Sequence, residues 1–123
     1  MLTHEEPELD VSEIIVMDPD NTFYMKMGSA AMISYHILPD HILVIDRTLK
    51  PVSGSIVVFF HEGSFYTREY CPDGKRLCLK SDAEPIIIED GEHWTCWGVV
   101  MLTLNPVLQP GHKVGRYRRV CAC

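Results

Sequence analysis

No stretch of the chain approaches the roughly 18 consecutive apolar residues of a membrane-crossing helix, and the first 20 residues hold no lysine or arginine. A secretory leader opens on basic residues, so neither a transmembrane anchor nor a signal peptide is expected, and a cytoplasmic location follows as the expectation. Glycine is absent from residues 1–21. Closely spaced cysteine pairs are nearly absent too. The five cysteines, Cys71, Cys78, Cys96, Cys121 and Cys123, are odd in number and share no repeated short spacing. A disulfide framework and a zinc ribbon are thus both unsupported, and reduced thiols are the default. Only Cys121 and Cys123 lie close together, with His93 and His112 as conceivable helpers. No metal or cofactor is expected from so sparse a set. Internal repeats and low-complexity segments are missing as well.

What is present is one domain's worth of chain. At 123 residues there is room for a single core, and 46% hydrophobic with 23% charged residues is ordinary globular composition. The net charge of −6 is unevenly placed. Glu5, Glu6, Glu8, Asp10, Glu13, Asp18 and Asp20 crowd the start, whereas Lys113, Arg116, Arg118 and Arg119, with Tyr117 among them, stand near the end without an acid. Four charges and one aromatic on a tail are a weak nucleic-acid footprint. A solvated tail, or one lying against the acidic end of its own or a neighbouring subunit, accounts for them equally.

The patterning is that of strands. Asp10 and Glu13 make a capping pair for a short helix that Pro19 would end. From Thr22 to Gly28, Phe23, Met25 and Met27 alternate with Tyr24 and Lys26, the period of a half-buried strand. Ile42 to Asp46 is a short apolar run. Ser55 to His61 and Ser64 to Tyr70 flank Glu62-Gly63, which predicts a tight hairpin. A Pro72-Asp73-Gly74 turn is expected before a strand at Arg76 to Lys80, followed by strands at Ile86 to Ile88 and Thr95 to Leu104. The fold class is therefore mostly β, a partly rolled sheet with a short N-terminal helix.

These segments resemble, in order and spacing, the UmuD branch of the LexA and UmuD family of self-cleaving serine-lysine peptidases. Asp10 to Pro19 resembles the helix and proline that open the processed UmuD core, and Thr22-Phe23-Tyr24-Met25-Lys26 its next strand. Met32-Ile33, Ile42 to Asp46, Gly54 to Val57 and Gly63-Ser64-Phe65 continue the likeness without a gap, and Trp97 to Val100 resembles the strand near its end. The resemblance implies a LexA/UmuD C-terminal-domain-like unit at residues 10–104, and the placement of charge adds an acidic segment at residues 1–9 and a basic tail at residues 105–123.

In that family a serine in a Gly-Asp-Ser-Met turn attacks the chain's own N-terminal arm, with a neutral lysine on a later strand as base. Here the turn reads Ser29-Ala30-Ala31-Met32, so Ala31 takes the nucleophile position, and a methyl group cannot attack. The base position falls on Arg68, whose guanidinium stays protonated where a buried lysine would not. Ser29 and Ser34 are displaced by two and three residues from the nucleophile position, and His36 or His41 would have to serve as base. Changes at four positions together read as natural decay of the chemistry. The absence of glycine from residues 1–21 also removes the expected small-residue-Gly cleavage site.

The resemblance further implies a homodimer, in which Val58, Phe65 and Trp97 match the family interface, although ordinary core packing would place the same residue types there. The partners it implies are a translesion DNA polymerase and the recombinase filament of the SOS response. The expected role is a non-catalytic, UmuD'-like accessory in error-prone translesion DNA synthesis. Two alternatives stand beside it: an inhibitory heterodimer with an active UmuD or LexA-type protein, and a self-cleaving peptidase using unidentified groups. A repressor's dimerisation half would need a helix-turn-helix domain, which this chain lacks.

Overall fold

The computed structural model describes residues 20–107 and, through their backbone, 121–122. The helix expected between Asp10 and Pro19 lies outside the described residues. The elements are β1 (Thr22–Lys26), a 3-10 turn (Ile33–Tyr35), β2 (Ile42–Asp46), β3 (Ile56–His61), β4 (Ser64–Asp73), β5 (Arg76–Lys80), β6 (Ile86–Ile88), β7 (Thr95–Leu104) and β8 (Cys121–Ala122). They form one sheet in the order β6-β5-β4-β3-β7-β2-β1-β8. Each ladder is antiparallel except that of β1 with β8. This is the mostly β fold that the alternation predicts. Among the described residues no helix is long and apolar enough to cross a membrane.

The hairpin of β3 and β4 forms because two runs rich in β-branched and aromatic residues, IVVFFH and SFYTREY, flank a two-residue turn. Glu62 and Gly63 both adopt positive φ, 48° and 86°, the pair of left-handed residues that matches the strands' twist. Strand β2 is buried along its whole length between β1 and β7, as its unbroken apolar run requires. It ends at Asp46, whose Oδ1 accepts from the Thr48 hydroxyl at 2.6 Å and the Thr48 N–H at 2.7 Å. Those donors hold the Asp46 carboxyl below the usual carboxylate range.

Successive strand residues face opposite sides, so the sheet carries two apolar layers. Val58 belongs to one, with Met25, Met27, Met32, Leu43 and Ile45. Its neighbour Val57 belongs to the other, with Phe59, Leu79, Ile88 and Val99. Strand β7 meets β2 and β3 with a register shift on each side, and such bulges sharpen local twist. Gly98 sits in this crowded strand, where a Cβ would stand 2.5 Å from Ile45 Cγ2 and 3.1 Å from the Asp46 carbonyl oxygen.

The expected Pro72 to Gly74 turn is displaced. Strand β4 continues through Pro72 and Asp73, and the chain turns at Gly74 and Lys75. Tyr70 N–H donates to the Ser55 carbonyl at 2.8 Å, so the nitrogen of Pro72, two residues on, faces the same side. Strand β3, which starts at Ile56, does not reach that far. A proline is tolerated where no ladder bond is lost. Near the other end of the chain, Cys121 and Ala122 pair in parallel with Met25 and Lys26.

Candidate functional site

The site grows from the turn after β1. Met32 is fully buried in the first apolar layer and pins the turn to the sheet. Around it, Tyr35 N–H and Ile37 N–H both donate to the Met32 carbonyl, at 3.0 and 3.2 Å. Ala31 lies immediately before this anchor, half-buried, and its N–H reaches the Ser29 hydroxyl only at 3.4 Å. Its carbonyl is held firmly, accepting from Asp82 N–H at 2.8 Å. Asp82 binds the turn a second time: its carboxylate accepts from Ser34 N–H at 2.8 Å and from the Ser34 hydroxyl.

A third clamp joins the turn to β4. The Tyr35 hydroxyl donates to Glu69 Oε1 at 2.9 Å. Burial first, then the bond to Glu69 and its charge, pushes the Tyr35 phenol up to about 12. Glu69 pairs with Lys80, the last residue of β5, two before Asp82. The turn bearing Ala31 and the strand bearing Arg68, the residue before Glu69, therefore reach the same end of the β4–β5 ladder.

Arg68 is buried at 8% exposure. It stands opposite Val57 in the β3–β4 ladder. Its Nη1 donates to the Thr67 carbonyl at 2.8 Å, and its guanidinium lies 5.2 Å from the centre of the Tyr66 ring. Strand alternation puts Arg68 on the face opposite Glu69. The serine nearest in sequence after Ala31 is equally specific in its contacts. Ser34 gives its proton to Asp82, and the two Ser34 donors hold that carboxyl below its usual range. A carboxylate so stabilised is a poor base. Of the candidate histidines, His41 is buried and its Nδ1 accepts from Leu38 N–H at 3.2 Å, while His36 caps the 3-10 turn in the left-handed conformation, at φ 64°.

The residues matched to a dimer interface fall on one face but differ in what they offer. Val58 is fully buried within the chain and has no surface to present. Phe65 and Trp97 are half-buried and meet edge to face with centroids 6.0 Å apart. Sequence reasoning missed their neighbours. Phe60 packs on Phe65 at 5.1 Å and remains 47% exposed. Phe23 packs on Trp97 at 5.1 Å. Arg47 places its guanidinium 4.7 Å from the Trp97 ring centre and donates from Nε to the Trp97 carbonyl at 3.0 Å. Only the strand order β3-β7-β2-β1 unites these residues, which no local pattern encodes. On the opposite face an open cleft of about 300 Å³ lies beside Tyr70, Leu77, Ile88 and Trp94.

Comparison with known proteins agrees with the fold. The profile of the family described as Peptidase S24-like matches residues 2–101. Protein MucA of Salmonella typhimurium and Protein MucA of Escherichia coli are each 29% identical to the chain over 104 residues, which takes in 82% of the chain and 71% of either relative.

Proposed function

Because the chain belongs to the Peptidase S24-like family, in its UmuD branch, we propose that it is a non-catalytic accessory protein of error-prone translesion DNA synthesis that works as a UmuD'-like dimer. Ala31 carries this reading. The turn that should present a nucleophile is held by Met32, Asp82 and Glu69 yet offers a methyl group at the decisive position. Arg68 supports it from a second, independent position, because a guanidinium cannot take a serine's proton at neutral pH. Ser34 supports it from a third, since its hydroxyl faces an ionised carboxylate of low basicity. The family's self-cleavage chemistry thus lacks its reacting groups, while the sheet and its aromatic face are retained.

That face is the surface we assign to association. Phe60, Phe65, Trp97 and Phe23 form a continuous row of edge-to-face rings capped by Arg47, and aromatics with arginine are the residue types that dominate protein interfaces. The same face favours a second reading, a mixed dimer with an active UmuD or LexA-type protein. The domain limits we infer are those of the resemblance, residues 10–104 with an acidic segment before and a basic tail after.

The decisive experiment has two parts. Intact mass is compared before and after incubation with activated recombinase filaments, and the expected result is no change; a specific self-cleavage product would overturn the non-catalytic reading. Tagged chain is then recovered from a DNA-damaged host. A translesion polymerase in the eluate is the expected finding, whereas a UmuD or LexA-type protein alone would establish the mixed dimer instead.

A further inference from the structure

Cys71 and Cys78 stand directly opposite each other in the β4–β5 ladder. Both are free thiols and both are half-buried, so reagents in solution reach them. Directly opposed residues of an antiparallel ladder project to the same face, with Cα atoms about 4.5–5.5 Å apart. A disulfide spans roughly 4.4–6.8 Å between Cα atoms. The spacing of cysteines along the chain suggests no bridge; the strand register supplies one.

We propose that Cys71 and Cys78 form a redox site, a dithiol that a small-molecule disulfide such as oxidised glutathione converts into an intrachain cross-strand bridge. The exchange proceeds in two displacements. A Cys78 thiolate attacks one sulfur of the small disulfide, whose S–S bond breaks and releases one thiolate. The Cys71 sulfur, giving its proton to solvent, then attacks the Cys78 sulfur of the mixed disulfide and expels the second thiolate. Two protein thiols are oxidised, one small disulfide is reduced to two thiols, and the two released protons end on those thiols.

The surroundings favour this order. Burial first, then the Glu69 carboxylate, pushes the Cys71 thiol up, so Cys71 waits as the protonated resolving group. Cβ atoms in such ladder pairs are about 4.5–5.5 Å apart, against roughly 3.5–4.5 Å in a disulfide. Closure must draw the strands together, and a strained bond is readily reduced. The site is therefore reversible. Its closed state would fasten β4 to β5 beside Glu69, the residue that holds Tyr35 and with it the turn of Ala31.

The test uses the full chain in buffer containing oxidised glutathione, followed by alkylation and tryptic digestion. Trypsin cuts after Lys75 and Arg76, which separates Cys71 and Cys78 onto different peptides. The expected result is a pair of peptides joined only by the bridge, a loss of about 2 Da from the intact chain, and reversal of both by dithiothreitol. Cys71→Ser and Cys78→Ser should each abolish the bridge, and a variant with Cys96→Ser, Cys121→Ser and Cys123→Ser should keep it. Glutathione adducts without a linked pair, or bridges that run only to Cys96, Cys121 or Cys123, would overturn the proposal.

Discussion

At the scale of single residues, the chemistry of the turn can be interrogated by putting groups back. Ala31→Ser restores an attacking oxygen but leaves Arg68 at the base position, and general-base assistance is worth about 10²–10⁴-fold. Reaction with a serine-directed fluorophosphonate should stay at background in Ala31→Ser and rise by on the order of 100-fold when Arg68→Lys is added. Equal labelling of the single and double variants would show that Arg68 does not occupy the base position. Tyr35 yields a prediction of a different kind. Its folded phenol titrates near 12 against an ordinary value of 10.0, so the folded state keeps a proton that the unfolded chain gives up. The stabilisation that burial and then the bond to Glu69 give the protonated Tyr35 phenol is whole below pH 10 and is lost as pH rises from 10 towards 12. Urea midpoints of the native chain should fall more steeply over that interval than those of Tyr35→Phe. Parallel curves would mean that neither the burial of the Tyr35 hydroxyl nor its bond to Glu69 ties folding to pH over this interval.

Among the elements, β7 has least tolerance for change. Gly98 lies where an added methyl would collide with Ile45 and approach the Asp46 backbone. Gly98→Ala should therefore cost about 1–3 kcal/mol, the usual range for overpacking, measured as a lower denaturant midpoint with unchanged slope. A variant as stable as the parent would imply that β2 and β7 slide apart freely. The same elements show what a sequence reveals and what it withholds. β2, β5, β6 and β7 fall where apolar runs and alternation place them, and the β3–β4 hairpin follows from the two strand-type runs that flank Glu62-Gly63. Pro72 misleads because a proline reads as a stop, and only the position of β3 shows that its missing N–H costs no bond. β8 leaves no signal, since two residues carry no period. The candidate site divides likewise. Ala31 and Arg68 are assigned to the nucleophile and base positions, as proposed, from the order of segments around them. The clamps from Asp82 and Glu69, and the company of Phe23 and Arg47 at Trp97, depend on contacts between distant strands.

For the whole molecule, the aromatic face proposed for association can be tested directly. Trp97→Arg would place a second cation beside Arg47 and disrupt the ring row, so self-association should weaken by about tenfold or more, as for an interface hot spot. Phe60→Ser, at a more exposed position, should act in the same direction with less disturbance of the fold. Sedimentation at fixed concentration reads both, and unchanged coefficients in the two variants would move the interface elsewhere. Two indoles three residues apart give a further handle. Trp97 belongs to the layer of Val58, packed between Phe23 and Phe65, while Trp94 belongs to the layer of Val57, stacked on Tyr70 at 5.9 Å beside the open cleft. The chain has no other tryptophan. Its intrinsic fluorescence is thus a two-channel signal, one emitter per side of the sheet, and replacing either indole with phenylalanine leaves a lamp that brightens or dims only for events on its own side.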